Sequence, residues 1–552
     1  MLGLMQDWPL TVDRIIDHAA GAHGDREVVT RSVEGPIERM SYARIRARAQ
    51  QASHGLAEFG IQPGDRVATL AWNTARHLEL WYAIMGVGAV CHTLNPRLHP
   101  DQLGWILRHA GDRMVFTDLT FAPLLLPALA HAPNVERVVV LSDEAHRPAG
   151  TGPDALMYEE WLAGRPTSGA AWGGFDEWTA AGLCYTSGTT GDPKGVLYSH
   201  RSNVLHTFMT MTPDVMGISA RDVVLPVVPM FHANAWGLAF SAPAMGSKLV
   251  MPGAKMDGAS LHELMETEGV TFSAAVPTIW QGLLHHLQTT GARLSTLKRV
   301  VIGGAACPES LIRAFHDEYG VEVLHAWGMT ETSPLGVLGA PTAEVAALPF
   351  GQQLPARMKQ GRAPFGVELK IVGEAGERLP HDGAAQGRLM VRGPNVASAY
   401  FGGEAGAVLN AEGFFDTGDI ATLDGQGYMQ ITDRAKDVIK SGGEWISSIA
   451  IENLVMAHPK VALAAVIGVP HPKWDERPLL IVQLKPGETA EAADVLGVLE
   501  GKIANWWTPD AVVFTDDLPL GATGKIDKKL LRARYPAAPA AETAPSGPSS
   551  GA

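Results

Sequence analysis

From Thr11 to about Asp433 the chain alternates short β-branched runs with amphipathic stretches, and this rhythm constrains its fold more than any other feature. Runs of strand character joined by helical crossovers predict an α/β architecture. Leu297 to Ile302 reads as a buried strand, Pro308 to Tyr319 as a helix opened by proline, and Val321 to His325 as the next strand, which together make a βαβ unit. Loops at the strand ends of such units hold the ligand. Apolar residues are 46% of the 552 and charged residues 18%, so most of the length should bury a core, and about three or four domains fit that length. Past Asp433 the pattern changes. Arg434 to Gly443 is short, charged and glycine-terminated; Ala464 to Val469, Leu479 to Leu484 and Ala492 to Ala504 then read as strand, strand and helix. A domain boundary is expected there. From Pro536 the chain is rich in Pro, Ala, Ser and Gly and is expected to be disordered. No repeat of solenoid period is apparent.

The formal net charge is −14, a poor electrostatic match for nucleic acid or an anionic membrane, although a locally basic pocket for a small anion remains compatible with it. Cys91, Cys184 and Cys307 are too few and too scattered for a disulfide framework or a thiolate zinc site. That predicts a reducing compartment, the cytoplasm. No basic segment followed by an apolar run precedes Asp7, so no secretory leader is expected. The most apolar stretches, Phe121 to Ala130 and Trp236 to Val250, are short or interrupted, below the roughly 20 residues a bilayer requires.

The segment richest in chemistry is Tyr185-Thr186-Ser187-Gly188-Thr189-Thr190-Gly191-Asp192-Pro193-Lys194-Gly195, set between the apolar runs Ala181 to Cys184 and Val196 to Tyr198. Glycines let backbone amides approach phosphate oxygens, hydroxyls add hydrogen bonds, and Lys194 adds positive charge, so the loop reads as a polyphosphate cradle. Its spacing does not fit the Walker pattern, in which Ser or Thr follows Gly-Lys. The structural alternative is a surface hairpin.

With further segments, this loop resembles the adenylate-forming enzymes, the ANL superfamily of acyl-CoA synthetases, peptide-synthetase adenylation domains and luciferases. The matching segments occur in the family's order: Phe231-His232, Gly303-Gly304-Ala305-Ala306, Ala326-Trp327-Gly328-Met329-Thr330-Glu331, Thr417-Gly418-Asp419, Asp433-Arg434-Ala435-Lys436-Asp437, Gly442-Gly443-Glu444 and Thr523-Gly524-Lys525. They span about Thr11 to Arg534. The resemblance implies a large N-terminal ATP- and acyl-binding domain of layered sheets and helices over 1–433, a hinge at 434–436, a small mobile α+β domain over 437–535, and a tail at 536–552.

Thr330-Glu331 sets a hydroxyl beside a carboxylate, a donor set that suits Mg²⁺ shared with substrate phosphates. The resemblance assigns the metal to Glu331 with help from Thr186. Trp327 offers a flat face to adenine and Gly304-Ala305-Ala306 allows close backbone approach, although the family usually carries Tyr at the Trp327 position. Asp419 reads as a carboxylate on a turn, able to accept hydrogen bonds from both ribose hydroxyls; by resemblance it does so, and Arg434 adds a second contact. Lys525 lies beside the turn-forming Gly524, and the resemblance implies that it bridges the substrate carboxylate and the α-phosphate during adenylation.

The implied activity is that of an ATP-dependent acid–thiol ligase: ATP converts the acid to an acyl-adenylate, and the thiol of coenzyme A then displaces AMP. By resemblance Lys436 is the pivot that withdraws Lys525 and brings Gly442-Gly443-Glu444 forward along the coenzyme A path. No side-chain nucleophile is needed, so Cys184 and Cys307 are read as packing residues. His232, where amino-acid-activating relatives carry Asp, disfavours an amino acid substrate; His232, Trp236 and Gly303 suit an uncharged acyl tail. Ser441 to Ser448 is especially similar to fatty acyl-CoA synthetases, which makes Trp445 the candidate gate of an acyl channel and implies a homodimer. The surroundings of Phe231 and Met251-Pro252-Gly253 also resemble ligases for medium-chain acids and for 3-methylthiopropionate. A carrier protein in place of coenzyme A is the alternative acceptor.

Overall fold

The computed structural model describes residues 1, 3–151, 154–186, 192–403, 406–441, 444–520 and 526–537. By internal contacts the chain forms two units. One comprises Met1–Lys370, Met390–Asp416 and Gly425–Met429; the other comprises Ile371–Leu389, Thr417–Asp424 and the residues from Gln430 onward. Most of the expected tail, from residue 538, lies outside the described residues.

The first unit is α/β and layered, as the sequence rhythm predicts. A seven-stranded sheet runs in the order Leu156–Met157, Arg137–Val140, Asp112–Thr117, Arg66–Leu70, Val90–Thr93, Ala180–Thr186 and Lys194–Ser199. Its neighbours are parallel except the last two, which form an antiparallel hairpin with Thr186 opposite Lys194. In the second sheet, Lys248–Met251, Val223–Pro226, Phe272–Ala275, Arg299–Ile302 and Glu322–Gly328 lie parallel and adjacent in that order. Leu335–Leu338 extends it antiparallel beyond Glu322–Gly328.

Strand alternation divides the core between the faces of that second sheet. Val301 belongs to one buried apolar cluster with helix residues such as Trp81 and, beyond them, the first sheet's Val67 and Phe116. Its neighbours Val300 and Ile302 pack on the opposite face with Leu264, Trp280 and Phe315. The helix Ala75–Gly86 is buried along nearly its whole circumference, as a helix between two sheets must be. The expected βαβ unit is present as Arg299–Ile302, Glu309–Tyr319 and Glu322–Gly328, with the helix closed by left-handed Gly320.

In the second unit, Val461–His471 pairs antiparallel with Asp475–Leu484, and Ala511–Phe514 joins the latter in parallel. Val466, Leu480 and Val482 bury one face beside Ile439, Ile446 and Ile451, while Ile467, Leu479 and Ile481 bury the other beneath Leu518 and Leu531. The expected helix from Ala492 to Ala504 stops at Gly497. Beyond that weak helix former the chain continues in three-residue turns, Leu499 N–H donating to Leu496 and Lys502 N–H to Leu499. Of the expected hinge, Arg434 ends the strand Tyr428–Arg434, and Ala435 and Lys436 lie between that strand and Ile439–Ser441. Among the described residues no helix is long and apolar enough to cross a membrane.

Candidate active site

The phosphate-loop residues Ser187, Gly188, Thr189, Thr190 and Gly191 lie outside the described residues, but the two strands that carry them do not. Alternation along Lys194–Ser199 puts Lys194, Val196 and Tyr198 on one face. On that face, Val196 and Tyr198 pack with Cys184 and Tyr400. Exposed Lys194 places its ammonium 5.0 Å from the centre of the Tyr400 ring, and it has no ion-pair partner among the described residues. Thr186, on the opposite strand, donates a long 3.4 Å hydrogen bond to the Lys194 carbonyl.

Glu331 occupies the turn Thr330–Thr332 that follows Glu322–Gly328. The reversal begins at Gly328, where any Cβ would fall on the Pro334 carbonyl, so only glycine fits. Met329 N–H donates to the Pro334 carbonyl at 3.0 Å. Asn395 Nδ2 donates to the Thr332 carbonyl at 2.6 Å, Ala397 N–H to the Glu331 carbonyl at 2.8 Å, and the Tyr198 hydroxyl to the Thr330 carbonyl at 2.8 Å. The Glu331 side chain is therefore delivered by a turn pinned from three sides. It is 6% exposed, and its Oε1 accepts from the Tyr400 hydroxyl at 2.7 Å. Among the described residues its other oxygen accepts no hydrogen bond.

This donor set fits Mg²⁺. Among the described residues no cluster of three or more His, Cys, Asp or Glu side chains could cage a metal. A single buried carboxylate with one oxygen anchored and one open suits an ion that takes most of its remaining ligands from water and substrate phosphates.

The acyl-pocket candidates converge in part. A Cβ on Gly303 would stand 3.2 Å from Trp236 Cη2, 3.1 Å from the Ala326 carbonyl oxygen and 3.4 Å from Ala326 Cβ, so these three residues are in contact. Trp236 lies in a left-handed turn, with φ of 45°, 57°, 50° and 53° at Ala233, Asn234, Ala235 and Trp236. None is glycine, and each such residue costs about 1–2 kcal/mol. The helix His200–Met211, capped by the Ser199 hydroxyl, supports the turn from beneath: Asn234 Nδ2 donates to Asn203 Oδ1, and the His206 ring lies against Gly237. His206 Nε2 also accepts from Leu335 N–H at 3.2 Å, tying the turn's support to the segment after Glu331. Burial pushes its pKa down to about 4, so the ring is neutral. Half-buried His232 leads into the same turn.

Buried Trp327 packs its ring edge over Gly336, where a Cβ would strike the indole. Gly304 has a φ of 81°, and Ala305 beside it is exposed. In the second unit Asp419 stands in the strand Phe415–Leu423 rather than on a turn, because left-handed Gly418 bends the strand without ending it. Buried Asp419 accepts from Arg434 Nε at 2.8 Å, while Arg434 remains partly exposed. Trp445 pairs with Lys440 across a two-strand edge. Lys436 lies in the turn after Arg434, its carbonyl accepting from Arg532 at 3.3 Å. Lys525, Gly442 and Gly443 lie outside the described residues, as does the side chain of Glu444. Cys91, Cys184 and Cys307 are buried and unpaired, and burial raises the pKa of each thiol, which fits packing.

Sequence reasoning passed over Tyr400, Tyr198 and His206. The one local signal was an aromatic residue directly before Phe401-Gly402-Gly403.

Residues 16–401 match the AMP-binding enzyme family, and residues 450–525 match the AMP-binding enzyme C-terminal domain. The chain belongs to the AMP-binding enzyme family. Within it, a 3-methylmercaptopropionyl-CoA ligase of Ruegeria lacuscaerulensis is 52% identical over 97% of this chain and 99% of its own. A medium-chain-fatty-acid–CoA ligase of Ectopseudomonas oleovorans is 48% identical over 97% and 98%. The crystal structure of ATP-bound MatB from Rhodopseudomonas palustris superimposes with a TM-score of 0.80 at 26% identity, covering 95% of this chain and 99% of that one. The adenylate-forming fold expected of this AMP-binding enzyme is thus the fold it has.

Proposed function

We propose that this AMP-binding enzyme is an AMP-forming acyl-CoA ligase that joins an uncharged short- to medium-chain or methylthio-substituted carboxylic acid to coenzyme A. The observation that carries the reading is a Lys194 ammonium and a buried Glu331 carboxylate that meet the same tyrosine and, among the described residues, leave the ammonium without an ion pair and one carboxylate oxygen without a hydrogen bond. Names of the relatives at 52% and 48% identity support both the reaction class and the range of acids.

A carboxylate cannot expel hydroxide to a thiol, so the acid must first be activated. A substrate carboxylate oxygen attacks the α-phosphorus of ATP and pyrophosphate departs; the thiol sulfur then attacks the acyl carbonyl and AMP departs with the C–O bond electrons. Bound Mg²⁺ supplies charge neutralisation on the phosphates. Glu331 and Thr186 hold it, and Lys194 draws the β- and γ-phosphates away from the reacting bond. The glycine and hydroxyl run Ser187 to Gly191 wraps the same phosphates. Trp327, with the Gly304-Ala305-Ala306 backbone, takes the adenine, and Asp419 with Arg434 takes the ribose. Lys525 spans substrate carboxylate and α-phosphate in the first step, and rotation about Lys436 exchanges it for the Gly442-Gly443-Glu444 path in the second. His232, Trp236, Gly303 and gate residue Trp445 surround the acyl tail. The enzyme works in the cytoplasm as a homodimer, a reading that rests on the unpaired thiols and on the fatty-acyl likeness around Trp445.

The deciding experiment has two stages. Purified protein with ATP, Mg²⁺ and an acid panel should exchange labelled pyrophosphate into ATP without coenzyme A, then release AMP and acyl-CoA when it is added. Absence of acid-dependent exchange across the panel refutes adenylation; exchange without thioester formation refutes coenzyme A as acceptor.

A further inference from the structure

Tyr400 stands between the two charged groups that the proposed nucleotide site requires. Its hydroxyl donates to Glu331 Oε1 at 2.7 Å, the length of a charge-assisted hydrogen bond, while its ring face receives the Lys194 ammonium at 5.0 Å from the centroid. Lys194 and Glu331 make no ion pair with each other or with any other described residue. An exposed lysine on a strand face and a carboxylate with an open oxygen on the adjoining turn would ordinarily satisfy one another, and the pair would then have to break before a metal and a pyrophosphate could enter. The ring that separates them is itself fixed. Val196, Tyr198 and Cys184 pack against it, and Phe415 meets it edge-on at 6.3 Å between centroids. The segment carrying it is anchored nearby by Ala397 N–H on the Glu331 carbonyl.

We propose that Tyr400 is a positioning residue that keeps Lys194 and Glu331 apart, aiming the ammonium at the departing pyrophosphate and the open carboxylate oxygen at the magnesium ion. This rests on the nucleotide-site reading above and adds to it a residue with two separable handles. The hydroxyl orients the carboxylate, as outer hydrogen bonds commonly do for metal-binding side chains. The π face holds the ammonium without neutralising it.

The handles predict different losses. Calorimetric titration of the full-length protein with ATP, at a series of free Mg²⁺ concentrations and in its absence, reads them separately. Tyr400→Phe keeps the ring and removes the hydroxyl, so the Mg²⁺ concentration for half-maximal enhancement of ATP binding should rise about 10- to 100-fold. Its metal-free ATP affinity and its KM for the acid should stay at wild-type values. Tyr400→Leu removes both handles and lets Lys194 close on Glu331, so metal-free ATP binding should also weaken severalfold. A merely structural tyrosine would shift the melting temperature without moving the Mg²⁺ midpoint in Tyr400→Phe. An unchanged midpoint there overturns the carboxylate handle, and unchanged metal-free affinity in Tyr400→Leu overturns the ammonium handle. Wild-type protein that binds ATP neither with nor without Mg²⁺ overturns the nucleotide-site reading itself, and this inference with it.

Discussion

Gly303→Ala tests the acyl pocket at the point where its geometry is tightest. The added methyl would stand 3.1 Å from the Ala326 carbonyl oxygen, 3.2 Å from Trp236 Cη2 and 3.4 Å from Ala326 Cβ. Ordinary carbon contacts lie at about 3.5–4.0 Å, so a neighbour must give way by a few tenths of an ångström. Ala326 cannot, because its strand is paired on both sides, with Arg299–Ile302 and with Leu335–Leu338. The methyl must therefore move away from Ala326 and displace the Trp236 ring, and the room this takes is about that of one methylene of substrate. Burying a methylene is worth about 0.8 kcal/mol, a factor of about four in kcat/KM. Straight-chain acids of about three to sixteen carbons, each followed by AMP release at saturating ATP and coenzyme A, give the profile directly. Acids that fill the wild-type pocket should lose about fourfold, acids a carbon or more shorter should be unaffected, and the KM for ATP should not change. A Gly303→Ala profile superimposed on the wild type, in a protein with an unchanged melting temperature, refutes the placement of Gly303 and Trp236 around the acyl tail.

Three further outcomes are expected. Lys436→Pro, which fixes φ at the proposed pivot, should leave acid-dependent pyrophosphate exchange near wild type and lower thioester formation; equal losses in both, or normal coenzyme A turnover, would contradict the pivot. Lys525→Ala should slow adenylation by about 10²- to 10³-fold with little change in the KM for ATP, read by single-turnover formation of the acyl-adenylate; a near-normal rate would remove Lys525 from that step. His206 has a folded pKa of about 4 against about 6.5 unfolded, so its stabilising contribution is complete above pH 6.5 and is lost as the pH falls toward 4. That loss amounts to about 3 kcal/mol in total. His206→Gln keeps an acceptor for Leu335 N–H but cannot take the proton, so its urea-unfolding free energy should fall less than the wild type's between pH 7 and 5; parallel curves would count against a buried neutral His206.

What the sequence exposed and what it hid divide along a physical line. The βαβ unit was legible because its information is local: β-branched residues at 300–302, an amphipathic helix opened after Pro308, and a glycine at 320 to close it. The end of the helix at Gly497 and the strand position of Asp419 were misjudged for the opposite reason. In each a single glycine decides between continuing and turning, and the choice depends on neighbours far along the chain. The loop and strand-end residues with chemical roles could be recognised as a set, since phosphate and metal recognition restricts residue types at fixed spacing. Their supports could not. Tyr400 reaches Glu331 across 69 positions, and His206 reaches Leu335 across 129. Neither partner carries a pattern that announces the other. The left-handed turn from Ala233 to Trp236 is more opaque still, because it contains no glycine and no run of asparagine or aspartate that would license positive φ. Its strain is tolerated only because Asn203 and His206, one helical turn apart on His200–Met211, meet it from beneath. Two residues three apart on a helix are legible as one face. That this face supports a strained turn beside the acyl pocket becomes visible only once the chain has folded.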